Sequence, residues 1–189
     1  MTIFNTPILS SLLRLACIVF LKILGWKIKG ELPVENRFVM IAHPHTSNFD
    51  LPLMLSVSFV FGLKLHWIGK DELFNGVFGG FMRWMGGLPI VRSGQQDEVE
   101  RIAGYFAERE KMALAIVPAG TRSKTKGWRT GFYWIAVEAD VPILLSFLDF
   151  GTKTTGVGPL IQPSGDLDAD LAEIQAFYAG MTGKYPDQT

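Results

Sequence analysis

Cysteine is almost missing. The chain has one, Cys17, in 189 residues, so no internal disulfide forms and a disulfide-stapled scaffold is excluded. Histidine is scarce as well. His43, His45 and His66 stand with no cysteine cluster and no HExxH spacing, so the sequence offers no recognisable metal site. Charge is thin: 19% of residues carry it, and 18 Lys+Arg balance 18 Asp+Glu. The missing basic surplus speaks against nucleic acid as a partner. There is no GxSxG elbow, which disfavours an α/β-hydrolase nucleophile. There is no phosphate-binding P-loop and no GxGxxG, so nucleotide use has no support.

Apolar residues fill the space that charge leaves. They make up 48% of the chain, and aromatics alone 12%. That excludes disorder, and the length suits a single domain with a real core. Such a composition implies that part of the surface faces something other than water. The zero net charge is a sum of patches. Residues 1–30 hold Arg14, Lys22, Lys27 and Lys29 and no acid, and residues 122–129 hold Arg122, Lys124, Lys126 and Arg129, again with none. The acids gather around Asp97 and Asp168. Two basic patches of this kind suit an anionic partner.

Residues 7–26, PILSSLLRLACIVFLKILGW, raise the question of a membrane span. Arg14 and Lys22 interrupt the run. At about 100° per residue they share a sector with Ser10, Ser11 and Cys17, while Leu9, Leu12, Leu13, Ile23 and Leu24 fall largely outside it. The pattern is that of an amphipathic helix lying in the membrane interface, with Trp26 and the following lysines at headgroup level; the competing reading is a helix packed onto its own domain. No small-residue cleavage site follows, so a signal peptide is not expected. We divide the chain into this helix, residues 1–30, and a single domain, residues 31–189.

Beyond it, short apolar runs alternate with helical stretches. Strands are expected at Arg37–Ala42, Leu65–Gly69, Leu88–Val91, Ala113–Val117, Ile143–Leu148 and Gly156–Ile161. Helices are expected at Leu53–Phe61, Leu73–Met85, Asp97–Lys111, Thr130–Ala139 and Asp168–Met181. The alternation predicts an α/β fold, with a mostly parallel central sheet flanked by helices. Over Leu73–Met85, helical spacing gathers Phe74, Phe78, Phe81, Met82 and Met85 on one face, either as core or as an apolar groove.

Two segments after strands carry candidate chemistry. His43-Pro44-His45-Thr46-Ser47-Asn48-Phe49-Asp50 places a carboxylate five residues after His45. Histidine titrates near neutrality, and a carboxylate orients it and stabilises its imidazolium. The blander reading makes Ser47, Asn48 or Asp50 a helix cap. The second segment, Val117-Pro118-Ala119-Gly120-Thr121-Arg122-Ser123, opens a basic loop at a strand end, the place where open α/β sheets bind ligands. Gly120 permits close backbone approach, and Arg122 can fork onto phosphate oxygens. A solvated basic loop is the competing reading. Arg92, after the Gly87–Val91 turn and strand, adds a third cation at a strand end.

Together these segments resemble the glycerolipid acyltransferases, the family that includes 1-acylglycerol-3-phosphate acyltransferases. The family's H-x4-D motif is similar to His45–Asp50, and its glycine-rich strand ending in arginine to Gly87–Arg92. Its F-P-E-G-T-R-S motif is similar to Val117–Ser123, and its V-P-I strand to Val141-Pro142-Ile143. All four occur in family order across residues 37–148. The resemblance implies a glycerol-3-phosphate acyltransferase-like fold. It implies His45 as general base, Asp50 as its orienting acid, and Arg92, Gly120, Thr121 and Arg122 as acceptor-binding residues. It further implies an acyl-CoA or acyl carrier protein donor, a membrane lipid acceptor and no bound cofactor. The single cysteine, the lack of a signal-peptide pattern and the basic N-terminal helix lead us to expect a peripheral or monotopic place on the cytoplasmic membrane face, and the histidine and cysteine pattern leads us to expect no metal. The implied reaction is acyl transfer from a thioester to a lysophospholipid-type hydroxyl, in phospholipid biosynthesis. One position departs from the pattern: Ala119 stands where the family has glutamate. Two alternatives follow, an impaired lipid-binding member or a thioesterase using the same His–Asp pair on water.

Overall fold

The computed structural model describes residues 1–90, 95–120 and 127–188. Its strands are β1 (Lys27–Lys29), β2 (Arg37–His43), β3 (Leu65–Lys70), β4 (Gly87–Ile90), β5 (Met112–Ile116), β6 (Ile143–Asp149) and β7 (Thr154–Ile161). They form one sheet in the order β1-β7-β6-β2-β5-β3-β4. Every neighbouring pair is parallel except β6–β7. The most apolar strands take the middle: β6 is buried along its whole length and β2 over all but its ends. The expected mostly parallel α/β architecture is the one observed.

The helices are α1 (Leu9–Ile23), α2 (Asp50–Phe61), α3 (Gly79–Trp84), α4 (Gln95–Ala107), α5 (Gly131–Glu138) and α6 (Leu167–Tyr178). Alternate residues of β2 point to opposite sides. Val39 and Ile41 join Ile102 and Phe106 of α4, Phe132 and Ile135 of α5, and Ile174 of α6. Phe38 and Met40 join Phe59 of α2, with Leu13 and Cys17 of α1 packed on the same cluster. Both α1 and α2 end in a glycine of left-handed φ. Gly25 (+75°) lets Trp26 N–H donate to Leu21 O at 2.9 Å, and Gly62 (+70°) lets Leu63 N–H donate to Ser58 O at 2.9 Å.

Three local expectations are corrected. Leu73–Met85 is not one helix but a 3-10 turn, Asp71–Phe74, a break, and then α3. Asn75-Gly76, with Gly76 at φ +84°, interrupts it, and Gly79 is packed so tightly that a Cβ would overlap Phe74 O. The aromatic residues of that stretch therefore share no face: Phe74 is buried, whereas Phe78 and Phe81 are exposed. On α1, Ser10 and Cys17 lie toward the fold rather than with the polar residues Ser11, Arg14 and Lys22. Strand β1 carries no sequence signal, being three residues held against β7.

Candidate active site

Parallel strands bring their carboxyl ends to one edge of the sheet, and β2 and β5 are neighbours. Ile41 pairs with Ile116, so the loops that leave after His43 and after Ile116 emerge side by side. The H-x4-D segment and the Val117–Gly120 turn are adjacent for that reason. The His43–Pro44 peptide is cis.

Asp50 is the first residue of α2 and is wholly buried. Its Oδ2 accepts from the backbone N–H groups of Thr46 and Ser47, both at 2.9 Å. The start of a helix further favours its negative charge. The same Oδ2 lies 3.0 Å from His45 Nδ1. This close contact lies off the line of a regular hydrogen bond, and among the described residues Asp50 Oδ1 and His45 Nδ1 have no hydrogen-bond partner. Catalytic contacts of this kind commonly align only once substrate is bound. The His45 side chain keeps 21% of its surface exposed, against 1% for Asp50. One ring nitrogen thus faces a buried carboxylate and the other is left for a reacting group. None of Ser47, Asn48 and Asp50, the three caps of the blander reading, takes the cap position. Phe49 takes the cap position, and Ser47 Oγ accepts from Phe49 N–H at 3.1 Å.

His43 has a different environment. Its ring centre lies 5.0 Å from that of Trp128 and 5.2 Å from that of Tyr178. Burial, with the neighbouring His45 charge as a smaller cause, pulls its pKa down to about 4. It is neutral at physiological pH. Tyr178 closes this aromatic cluster from α6, its hydroxyl donating to Ser146 O at 3.0 Å. His66 is remote in role: it is buried, and its Nδ1 lies 3.0 Å from Lys64 O. Among the described residues no three His, Cys, Asp or Glu side chains group as metal ligands do.

In the second segment, Gly120 adopts φ +64° and donates its N–H to Val117 O at 3.0 Å. Arg129 N–H donates to Pro118 O at 2.9 Å, and the Arg129 side chain packs over Gly120, where a Cβ would stand 3.1 Å from its Cδ. Arg129 is thereby fixed beside the turn. Arg92, Thr121 and Arg122 lie outside the described residues. Sequence reasoning missed Lys184. It lines an open cleft of about 680 Å³ beside the His45 loop, with Thr46, Ser47, Phe49 and Tyr185. Its Nζ stands 4.7 Å from the Phe49 ring centre. No motif marks this lysine, and only the folding back of the C-terminus brings it to the site.

A buried histidine–carboxylate contact at the carboxyl edge, beside a glycine turn, is the geometry of general-base chemistry on a hydroxyl. The Acyltransferase family model matches residues 26–144, well over half of the chain. The chain belongs to the Acyltransferase family. That range holds all four motifs from His45 to the start of β6. No curated protein sequence matches it. Among solved structures, this acyltransferase-family chain is similar to the crystal structure of the 1-acyl-sn-glycerophosphate (LPA) acyltransferase PlsC from Thermotoga maritima. The TM-score is 0.58 at 18% identity, covering 93% of this chain and 82% of that one. The likeness shows a common fold.

Proposed function

We propose that this acyltransferase moves a fatty acyl group from a thioester, acyl-CoA or acyl carrier protein, to the hydroxyl of a lysophospholipid-type acceptor at a membrane surface. The observation that carries the reading is the contact between partly exposed His45 and buried Asp50. The free ring nitrogen of His45 removes the acceptor hydroxyl proton as the oxygen attacks the thioester carbonyl. The tetrahedral intermediate then collapses: the C–O ester bond stays, the C–S bond breaks, and His45 returns the proton to the departing thiolate. Asp50 stabilises the imidazolium between these steps, and two backbone N–H groups hold Asp50 in place. No acyl-enzyme is needed. Gly120 and Arg129, together with Arg92, Thr121 and Arg122, are the groups we assign to the acceptor phosphate and glycerol.

The acceptor comes from a membrane, and α1 supports that reading. Its apolar arc is split. Leu13, Cys17 and Leu21 pack inward, while Ile8, Leu12, Leu15, Val19 and Ile23 form an exposed stripe. Among the described residues no helix is long and apolar enough to cross a membrane. An interfacial, monotopic placement fits a 15-residue helix with Arg14 and Lys22 beside the stripe.

Ala119 favours a second reading, a lipid-binding member of low activity, because its methyl group accepts no hydrogen bond. A matrix of acyl thioesters against lysophospholipids, read by mass spectrometry of the lipid products, tests both. Acceptor-dependent ester formation supports the transferase. Free fatty acid released without acceptor supports a thioesterase. No product until Ala119→Glu restores one supports the impaired member.

A further inference from the structure

Phe78 and Phe81 have been left without a role. The break at Gly76 turns Val77 and Phe78 outward, 97% and 70% exposed, with Leu73 and Phe81 about half exposed beside them. Large exposed aromatics in a cluster mark an interaction surface. The cluster is not isolated from α1. Phe81 packs on Trp84 with ring centres 5.9 Å apart, and Trp84 Nε1–H donates to Thr6 Oγ1 at 3.0 Å. Thr6 lies two residues before Ile8, which begins the exposed stripe of α1. The two apolar surfaces are thus joined through one part-buried hydrogen bond.

The charge around them is mostly cationic, with Asp71 and Glu72 just before Leu73 as the exceptions. After Glu72 no acid occurs until Asp97, and none occurs in residues 1–30. Of the two acids beside Leu73, Asp71 is engaged by Asn75 Nδ2, 3.0 Å from its Oδ2. Arg83 is held against the Phe74 ring at 5.5 Å and donates to Phe74 O. An apolar, aromatic-rich surface whose flanking charges are mainly cationic complements an anionic lipid leaflet better than a protein partner with a mixed rim.

We infer that the Leu73–Phe81 segment is a second membrane contact, with Val77 and Phe78 entering the leaflet alongside the α1 stripe. This rests on the interfacial reading of α1. Two contact points fix orientation, whereas a lone helix permits rolling about its axis. The arrangement holds the carboxyl edge of the sheet at a set angle to the leaflet that supplies the acceptor.

The test labels Phe78→Cys, in a Cys17→Ser background, with an environment-sensitive fluorophore and adds phosphatidylglycerol vesicles. The expected result is a blue shift, and quenching by doxyl-labelled lipid, that rises in step with co-sedimentation. The Phe78→Ser/Phe81→Ser variant should keep its melting temperature and lose vesicle affinity by about tenfold or more. Co-sedimentation with a probe that stays in water overturns the inference and leaves the α1 reading standing. No co-sedimentation at all overturns both. A blue shift that grows with protein concentration in the absence of vesicles assigns the patch to a second copy of the chain and overturns it too.

Discussion

The carboxyl edge of the sheet and the outer face of α1 and α3 both break the usual rule of polar outside and apolar inside, in opposite senses. At the edge, a carboxylate is wholly buried and His43 packs against the rings of Trp128 and Tyr178. On the other face, Leu12 and Val19 of α1 and Val77 and Phe78 just before α3 stand in the open. The edge pays for its burial locally, because Thr46 and Ser47 donate to Asp50. The face has no such internal compensation, and we propose the membrane as what covers it.

The two regions should therefore fail independently. The largest effect is expected at the edge. Asp50→Asn keeps the shape but weakens the charge that holds His45, and we expect kcat to fall about 10²–10⁴-fold, measured by ester formation, with vesicle binding unchanged.

His43 gives the next. Its pKa is depressed to about 4 in the fold against 6.5 unfolded. The unfolded chain therefore binds more protons between those values, and stability rises with pH across that window and is lost as pH falls through it. The loss amounts to at most about 3 kcal/mol. Melting temperatures measured from pH 7 to pH 4 should show this slope in the native chain and a flatter one in His43→Gln.

Leu12→Ser/Val19→Ser attacks the other region. Both side chains are exposed, so the fold should be kept while vesicle affinity drops about tenfold, read by co-sedimentation. The smallest effect sharpens the contact between site and turn. Gly120→Ala places a methyl against Arg129 in a left-handed conformation and should cost about 1 kcal/mol of stability, read by denaturant titration.

The sequence made some of this legible and hid the rest for identifiable reasons. Central strands such as β2 and β6 are continuous apolar runs, and the H-x4-D spacing places Asp50 where a loop entering a helix folds it back. Those features are local. The division of α1 into an inner and an outer apolar half depends on which side α2 occupies, and helical periodicity alone cannot choose. Cys17 is apolar enough to pack inward although it shares an angular sector with Ser11 and Arg14. The break at Asn75-Gly76 was masked by the strong helical spacing of the aromatic residues around it. Lys184 reaches the site only through tertiary folding, with no motif to announce it. The roles of Arg92, Thr121 and Arg122 rest on the resemblance, since they lie outside the described residues.

The central claim is that His45 is the base for acyl transfer. Ester formation from acyl-CoA and a lysophospholipid in phosphatidylglycerol vesicles should be measured for the native chain and His45→Ala, with co-sedimentation and melting temperature taken on the same samples. We predict that His45→Ala loses ester formation by about 10²–10⁴-fold while binding vesicles and melting as the native chain does. Undiminished ester formation by a folded, vesicle-bound His45→Ala would contradict the account.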